Sequence, residues 1–178
     1  MTKHPSVLGE SYVYEDEFEM LCTLLPRNGS LLEVGTAAGV TAAAIADKHP
    51  EAYIMCVDTF KDVNHNNSAC DEGNWALWRR NQRQGMHLWV GDLASYLAQT
   101  NRKFSLAFVD ADHSRDGCAR DLRLAARHAK VLAVHDYGLP EVSAWPGVKE
   151  AVDEFVSCGM WRITQCVRSL CVLTTRTS

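Results

Sequence analysis

The chain has 178 residues, with 22% charged side chains and a net charge of −4. That length suits one domain with a sizeable core. The charge balance excludes a basic field that would make nucleic acid or an anionic membrane surface the main partner, and no apolar run approaches the ~20 residues of a membrane span. The seven cysteines include no Cys-x-x-Cys pair, and their odd number and the lack of a signal peptide set the expectation of a reducing, cytoplasmic location.

Residues 1–14 mix polar and aromatic types, and Tyr12 and Tyr14 are candidates for a lid or an interface. Apolar residues at Phe18, Leu21, Cys22 and Leu25 predict a helix over 15–25, stopped by Pro26-Arg27-Asn28-Gly29. Residues 1–28 thus read as an N-terminal helical or lid segment of a single domain, 1–178. A strand over 31–34 runs into Gly35 and Gly39, and an alanine-rich helix from Val40 ends before His49-Pro50. Strands follow at 53–57 and 86–90, with a polar loop over 61–73 and a helix over 74–84 between them. After Gly91-Asp92 come a short helix over 93–99, a strongly apolar and therefore central strand over 104–109, and a helix over 116–128. A fifth strand, 131–134, precedes a loop and a helix over 147–158. The last strands, 161–167 and 170–175, are separated by two residues, which admits only an antiparallel hairpin. The order is a helix, five β-α units and a closing hairpin, an α/β protein with seven strands.

Strand, glycine turn and helix together form the ligand cradle of open α/β sheets. Glycines without Cβ let backbone approach a ligand, and the helix start offers free N–H groups. The spacing here is Gly35-x-x-x-Gly39, not that of a dinucleotide site. Glu33 just before it suits a ligand with ammonium or hydroxyl donors rather than a pyrophosphate. A buried turn without ligand is the plainer alternative. Asp58 ends the second strand where a ribose-binding carboxylate belongs, and it also reads as a turn residue. All five strands of the β-α units end in acidic chemistry: Glu33, Asp58, Asp92, Asp110 and Asp136.

Asp110, Asp112, His113, His135 and Asp136 fall on two strand ends. Such a set suits Mg²⁺, Mn²⁺ or Ca²⁺, and the histidines also admit Zn²⁺ or Fe²⁺. Either His113 or Ser114 can cap the following helix. Strand alternation would send His135 and Asp136 to opposite sides, leaving one of them structural.

With these residues the chain resembles the class I S-adenosylmethionine-dependent methyltransferases. Glu33-x-Gly35-x-x-x-Gly39 is similar to that family's first motif, Asp58 to its ribose-binding acid and Gly91-Asp92 to its adenine-side motif. More narrowly, Phe108-Val109-Asp110-Ala111-Asp112-His113-Ser114, Val134-His135-Asp136-Tyr137 and Pro146 to Phe155 resemble small sugar and natural-product O-methyltransferases of the macrocin and cephalosporin-tailoring type.

The resemblance implies a Rossmann-like, doubly wound, mostly parallel seven-stranded sheet with a C-terminal antiparallel hairpin. It implies S-adenosylmethionine at Glu33, Gly35, Thr36, Gly39, Asp58, Thr59, Gly91, Asp92 and Asp110. It implies a divalent cation, Mg²⁺, held by Asp110 and Asp136 with His135 or His113 near it, and Asp112 as base with His113 as rival. Two departures stand out: Ala129-Lys130 replaces a common Pro-Gly-Gly, and His135-Asp136 replaces the paired acids of some relatives. The expected activity is methyl transfer to a small-molecule hydroxyl, without nucleic-acid or membrane partners and in a possible homodimer. A non-catalytic S-adenosylmethionine-binding or regulatory protein is the alternative, and the glycine spacing disfavours a nucleotide-dependent oxidoreductase.

Overall fold

In a computed structural model, which describes residues 6–62, 67–70, 72–138 and 145–176, the apolar runs form strands buried on both faces. The elements are α1 (Glu15–Leu24), β1 (Ser30–Val34), α2 (Val40–Lys48), β2 (Tyr53–Asp58), β3 (Lys61–Asp62), β4 (Asn67–Cys70), α3 (Glu72–Asn81) and β5 (Met86–Val90). They continue as α4 (Leu93–Leu97), β6 (Phe104–Val109), α5 (Arg115–Ala125), β7 (Ala129–Val134), α6 (Pro146–Ser157), β8 (Trp161–Val167) and β9 (Leu170–Thr175).

The seven-stranded sheet has the order β5-β2-β1-β6-β7-β9-β8. The pairs from β5 to β7 are parallel, and β9 runs antiparallel to both β7 and β8. The expected sheet and closing hairpin are thus present, with β6 central. From β1 the chain winds outward to β2 and β5, then crosses back to β6 on the other side. The gap between the ends of β1 and β6 is therefore a switch point, where open α/β sheets hold their ligands.

Alternation along each strand splits the core in two. Leu31, Ile54, Leu106 and Phe108 face one side with Phe18 and Leu21 of α1 and Ala42 and Ile45 of α2. Leu32, Val57, Ala107 and Val109 face the other with Cys118 and Leu122 of α5 and Val148 and Ala151 of α6. The result is a three-layer sandwich. Among the described residues no helix is long and apolar enough to cross a membrane.

One feature differs from the sequence expectation. The stretch 61–73, expected to be loop, contains a two-stranded antiparallel ribbon, Lys61 opposite Cys70 and Asp62 opposite Asn67, with an irregular register between them. So short a ribbon has no apolar alternation to announce it. The described part of the N-terminal segment is docked on the body. The buried Asn81 amide accepts from Leu8 N at 2.8 Å and donates to Leu8 O at 2.8 Å and Ala38 O at 2.9 Å. Ser11 and Thr41 join their hydroxyls at 2.9 Å.

Helices α5 and α6 meet where their N-termini cross. A Cβ on Gly147 would lie 2.6 Å from Arg115 N and 2.7 Å from His113 O. Both obstacles are backbone, so the helices must separate to admit even a methyl group. Gly147→Ala is expected to destabilise the protein by ~1–3 kcal/mol, the usual cost of overpacking. Chemical denaturation measures it; an unchanged midpoint would show that this crossing is loose.

Candidate active site

The first half of the site is the turn after β1. Gly35 has φ +87°, and a Cβ there would fall 2.1 Å from the backbone oxygen of Asp110. Only glycine lets the turn lie against the end of β6. Gly35 N donates to Val57 O at 2.9 Å. Ala37 has φ +45°, and its N–H donates to Asp58 Oδ2 at 2.7 Å. Asp58 Oδ1 accepts from Phe60 N at 2.6 Å. Gly39 is the N-cap of α2 and faces the Trp78 indole. Asp58 therefore joins the glycine turn to the strand beyond it, as both a turn residue and an edge carboxylate.

Beneath the turn, Glu33 is buried and accepts a hydrogen bond from the Thr36 hydroxyl. Burial pushes its pKa up to about 8. Thr59 Oγ1 accepts from Lys61 N at 3.3 Å. Gly91 N donates to Asp58 O at 2.9 Å, so the ends of β2 and β5 are tied. Asp92 caps α4, accepting from Ser95 N at 2.7 Å, and that backbone bond lowers its pKa.

The second half lies across the switch point. Asp110 Oδ1 is 3.6 Å from His113 Nε2 and 3.4 Å from His135 Nδ1. Asp136 meets His113 Nε2 at 3.0 Å and His135 Nδ1 at 3.4 Å. His135 and Asp136 thus share one cluster, against the expectation from strand alternation. The strand ends at Val134, and Asp136 takes φ +59°, which turns its carboxylate back to the histidine's side.

Burial works to raise the Asp110 pKa, but the His135 charge and hydrogen bonds from both imidazoles hold it well below the carboxylate range. Burial likewise opposes charge on His113, yet Asp110 and Asp136 lift it to about 9. His135 rises to about 12 against its burial, chiefly through the charge of Asp110. Two carboxylates and two imidazoles neutralise one another.

Two residues of this neighbourhood escaped sequence analysis. Trp145, the N-cap of α6, stacks on the His113 ring at 4.5 Å between centroids and 19° between planes. Glu17, wholly buried on α1, receives hydrogen bonds from Ser169 N, Ser169 Oγ and Leu170 N at 2.8, 2.7 and 3.1 Å. Its other oxygen accepts from Tyr14 N at 2.8 Å and lies 3.4 Å from His135 Nε2. Glu17 precedes Leu21 by one helical turn, so a carboxylate on the apolar face was the available signal.

Asp112 stands apart. Its Oδ1 accepts from Ser114 N at 2.9 Å, and Oδ2 is 3.9 Å from Arg120 Nη2. Its carboxyl lies over Gly117, where a Cβ would come within 2.0 Å. Ser114, not His113, caps α5, accepting from Gly117 N at 3.1 Å.

One ligand atom each from Asp110, His113 and Asp136 lies within 4.8 Å of the others. Two carboxylates, half-buried at a sheet edge, fit a divalent cation, with the imidazole beside them as either a third ligand or a neighbouring base. Of the two histidines expected near the cation, His113 lies with the carboxylates, whereas His135 sits beneath them with its far nitrogen turned to Glu17.

This geometry, a glycine turn and an acidic edge at the switch point of a sheet closed by an antiparallel hairpin, is that of a methyltransferase fold. Residues 32–137 match a family described as "Methyltransferase domain"; the match covers more than half of the chain, and the chain belongs to that family. Solved structures share the fold. The O-methyltransferase TomG from Streptomyces achromogenes, involved in tomaymycin synthesis and solved with S-adenosylmethionine, aligns with TM-score 0.65 at 15% identity, over 96% of this chain and 82% of that one. An O-methyltransferase from Bacillus cereus in complex with S-adenosylhomocysteine aligns with TM-score 0.62 at 15% identity, over 94% and 84%. No curated protein matches in sequence.

The buried Glu33 has a consequence for stability. Its folded pKa, about 8, lies above the ordinary 4.5. A raised pKa means that the folded state holds the proton longer, so its stability is full below pH 4.5 and falls as pH rises to 8. The slope of that contribution is about 1.4 kcal/mol per pH unit. In Glu33→Gln, unfolding free energies measured at pH 5 and pH 8 are expected to differ less than in the parent. An equal difference would mean that Glu33 is ionised when folded.

Proposed function

We propose that the protein is an S-adenosylmethionine-dependent O-methyltransferase acting on a hydroxyl of a small molecule, assisted by a divalent cation, Mg²⁺, at Asp110 and Asp136. The observation that carries this reading is the contact of the two half-sites. The glycine turn rests on the backbone of Asp110 itself, so the turn that would hold the cofactor adjoins the carboxylate cluster. Family membership and the shared fold support it.

When bound, S-adenosylmethionine would supply an electrophilic methyl group, and a cation at Asp110 and Asp136 would supply Lewis-acid polarisation of the acceptor hydroxyl. The chain's residues do the rest. Gly35, Thr36 and Gly39 present the turn, and Glu33 offers a buried acceptor for the amino-acid ammonium. Asp58 accepts from two backbone N–H groups, which hold its carboxylate at the strand edge where ribose hydroxyls would meet it. Thr59, Gly91 and Asp92 flank the adenine side. Methyl transfer is an in-line displacement, and alignment of this kind is worth roughly 7–11 kcal/mol.

Proton removal falls to His113. It faces the cluster, whereas both oxygens of Asp112 are turned to α5. Trp145 holds the imidazole plane; with a cation on Asp110 and Asp136 in place of its own positive charge, the imidazole would be neutral and a stronger base than a free carboxylate.

Calorimetry with S-adenosylhomocysteine tests the cofactor site. Binding is expected, and Asp58→Ala should weaken it by ~1.5 kcal/mol or more, the usual loss of a charged hydrogen bond; an unchanged affinity removes Asp58 from the site. Mn²⁺ binding tests the cluster. Asp136→Asn should lose Mn²⁺, while His113→Asn should keep it and lose ~10²–10⁴ in turnover. If His113→Asn loses Mn²⁺ as well, the imidazole is a ligand rather than the base.

A further inference from the structure

The closing hairpin carries two cysteines that methyl transfer does not use. β8 and β9 are joined by Arg168 and Ser169, and the register sets Val167 opposite Leu170 and Cys166 opposite Cys171. When a two-residue turn is closed by a hydrogen-bonded pair, the next pair is the close one, with Cα atoms ~4.5 Å apart and both side chains on one face. A disulfide spans Cα separations of ~4.4–6.8 Å. Both thiols are free. Cys166 is exposed, whereas Cys171 is buried beside Val134 of β7.

We propose that Cys166 and Cys171 form a reversible dithiol, a modification site for low-molecular-weight disulfides of the glutathione class. The exposed Cys166 thiolate attacks one sulfur of the oxidised reagent and expels one thiolate, giving a mixed disulfide. Cys171 then loses its proton and attacks the Cys166 sulfur, expelling the second thiolate. Two protein thiols are oxidised, one reagent disulfide is reduced to two thiols, and the two protons pass to the departing thiolates. Burial raises the Cys171 pKa, so the second step is the slow one and quickens at alkaline pH.

The location gives the bond a consequence. The turn between the cysteines donates Ser169 N and Oγ to Glu17, and Ser169 O accepts from Tyr137 N at 3.0 Å. Closing the disulfide fixes the turn that holds Glu17 against His135.

The test is incubation of the full chain with oxidised glutathione, followed by acid quench, alkylation and mass spectrometry. The expected product has lost two hydrogens and two titratable thiols, with a peptide linking Cys166 to Cys171, and dithiothreitol restores it. Cys171→Ala should stop at glutathione on Cys166, and the surface variant Cys166→Ser should remain unmodified at Cys171. A stable mixed disulfide on Cys166 in the parent protein, a bond to a different cysteine, or a disulfide between two chains would overturn the proposal.

Discussion

The missing Cβ of Gly35 is the constraint on which the rest of the site depends. The turn that leaves β1 presses so closely on the Asp110 carbonyl that a methyl group at Gly35 would overlap it. This contact places the Ala37 and Asp58 arrangement on one side of the switch point and the carboxylates on the other. Because both halves hang from adjacent parallel strands, β1 and β6, their relative position is set by the sheet rather than by loops. A few tenths of an ångström matter for in-line transfer, and a paired sheet is the stiffest part of the molecule from which to set them.

Electrostatic balance then decides what the edge can hold. Asp110 and Asp136 would be costly to bury as bare anions, and His113 and His135 offset them. The lower imidazole is itself held by Glu17, which reaches from α1 and is fastened by the β8–β9 turn. Elements from both ends of the chain therefore support one strand end. A histidine whose outer nitrogen is oriented by a carboxylate is a familiar second support for a charged site. Here it couples the closing hairpin to the carboxylate cluster.

Much of this was legible in the sequence for physical reasons. Buried parallel strands need continuous apolar runs, so β1, β2, β6 and β7 announced themselves. The two-residue gap Arg168-Ser169 left only a hairpin. Gly35 and Gly39 marked a turn that side chains would block. What was hidden depends on contacts distant in sequence or on a local break in periodicity. The left-handed conformation of Asp136 ended the alternation that would have parted it from His135. Asp112 looked free to face a substrate because its position above Gly117 is a matter of packing. Glu17 meets Ser169 across 152 positions, and Trp145 reaches His113 only because α6 crosses α5 at Gly147. The β3–β4 ribbon has too little apolar pattern to stand out from loop.

The central claim is that one cofactor and one cation share the β1–β6 switch point. A crystal structure of the protein soaked with S-adenosylhomocysteine and Mn²⁺, with anomalous data collected for the metal, tests it most directly. The account predicts cofactor density across the Gly35–Gly39 turn with its ribose at Asp58, and an anomalous peak between Asp110 and Asp136. Density for the cofactor elsewhere, or a metal peak away from these two carboxylates, would contradict it.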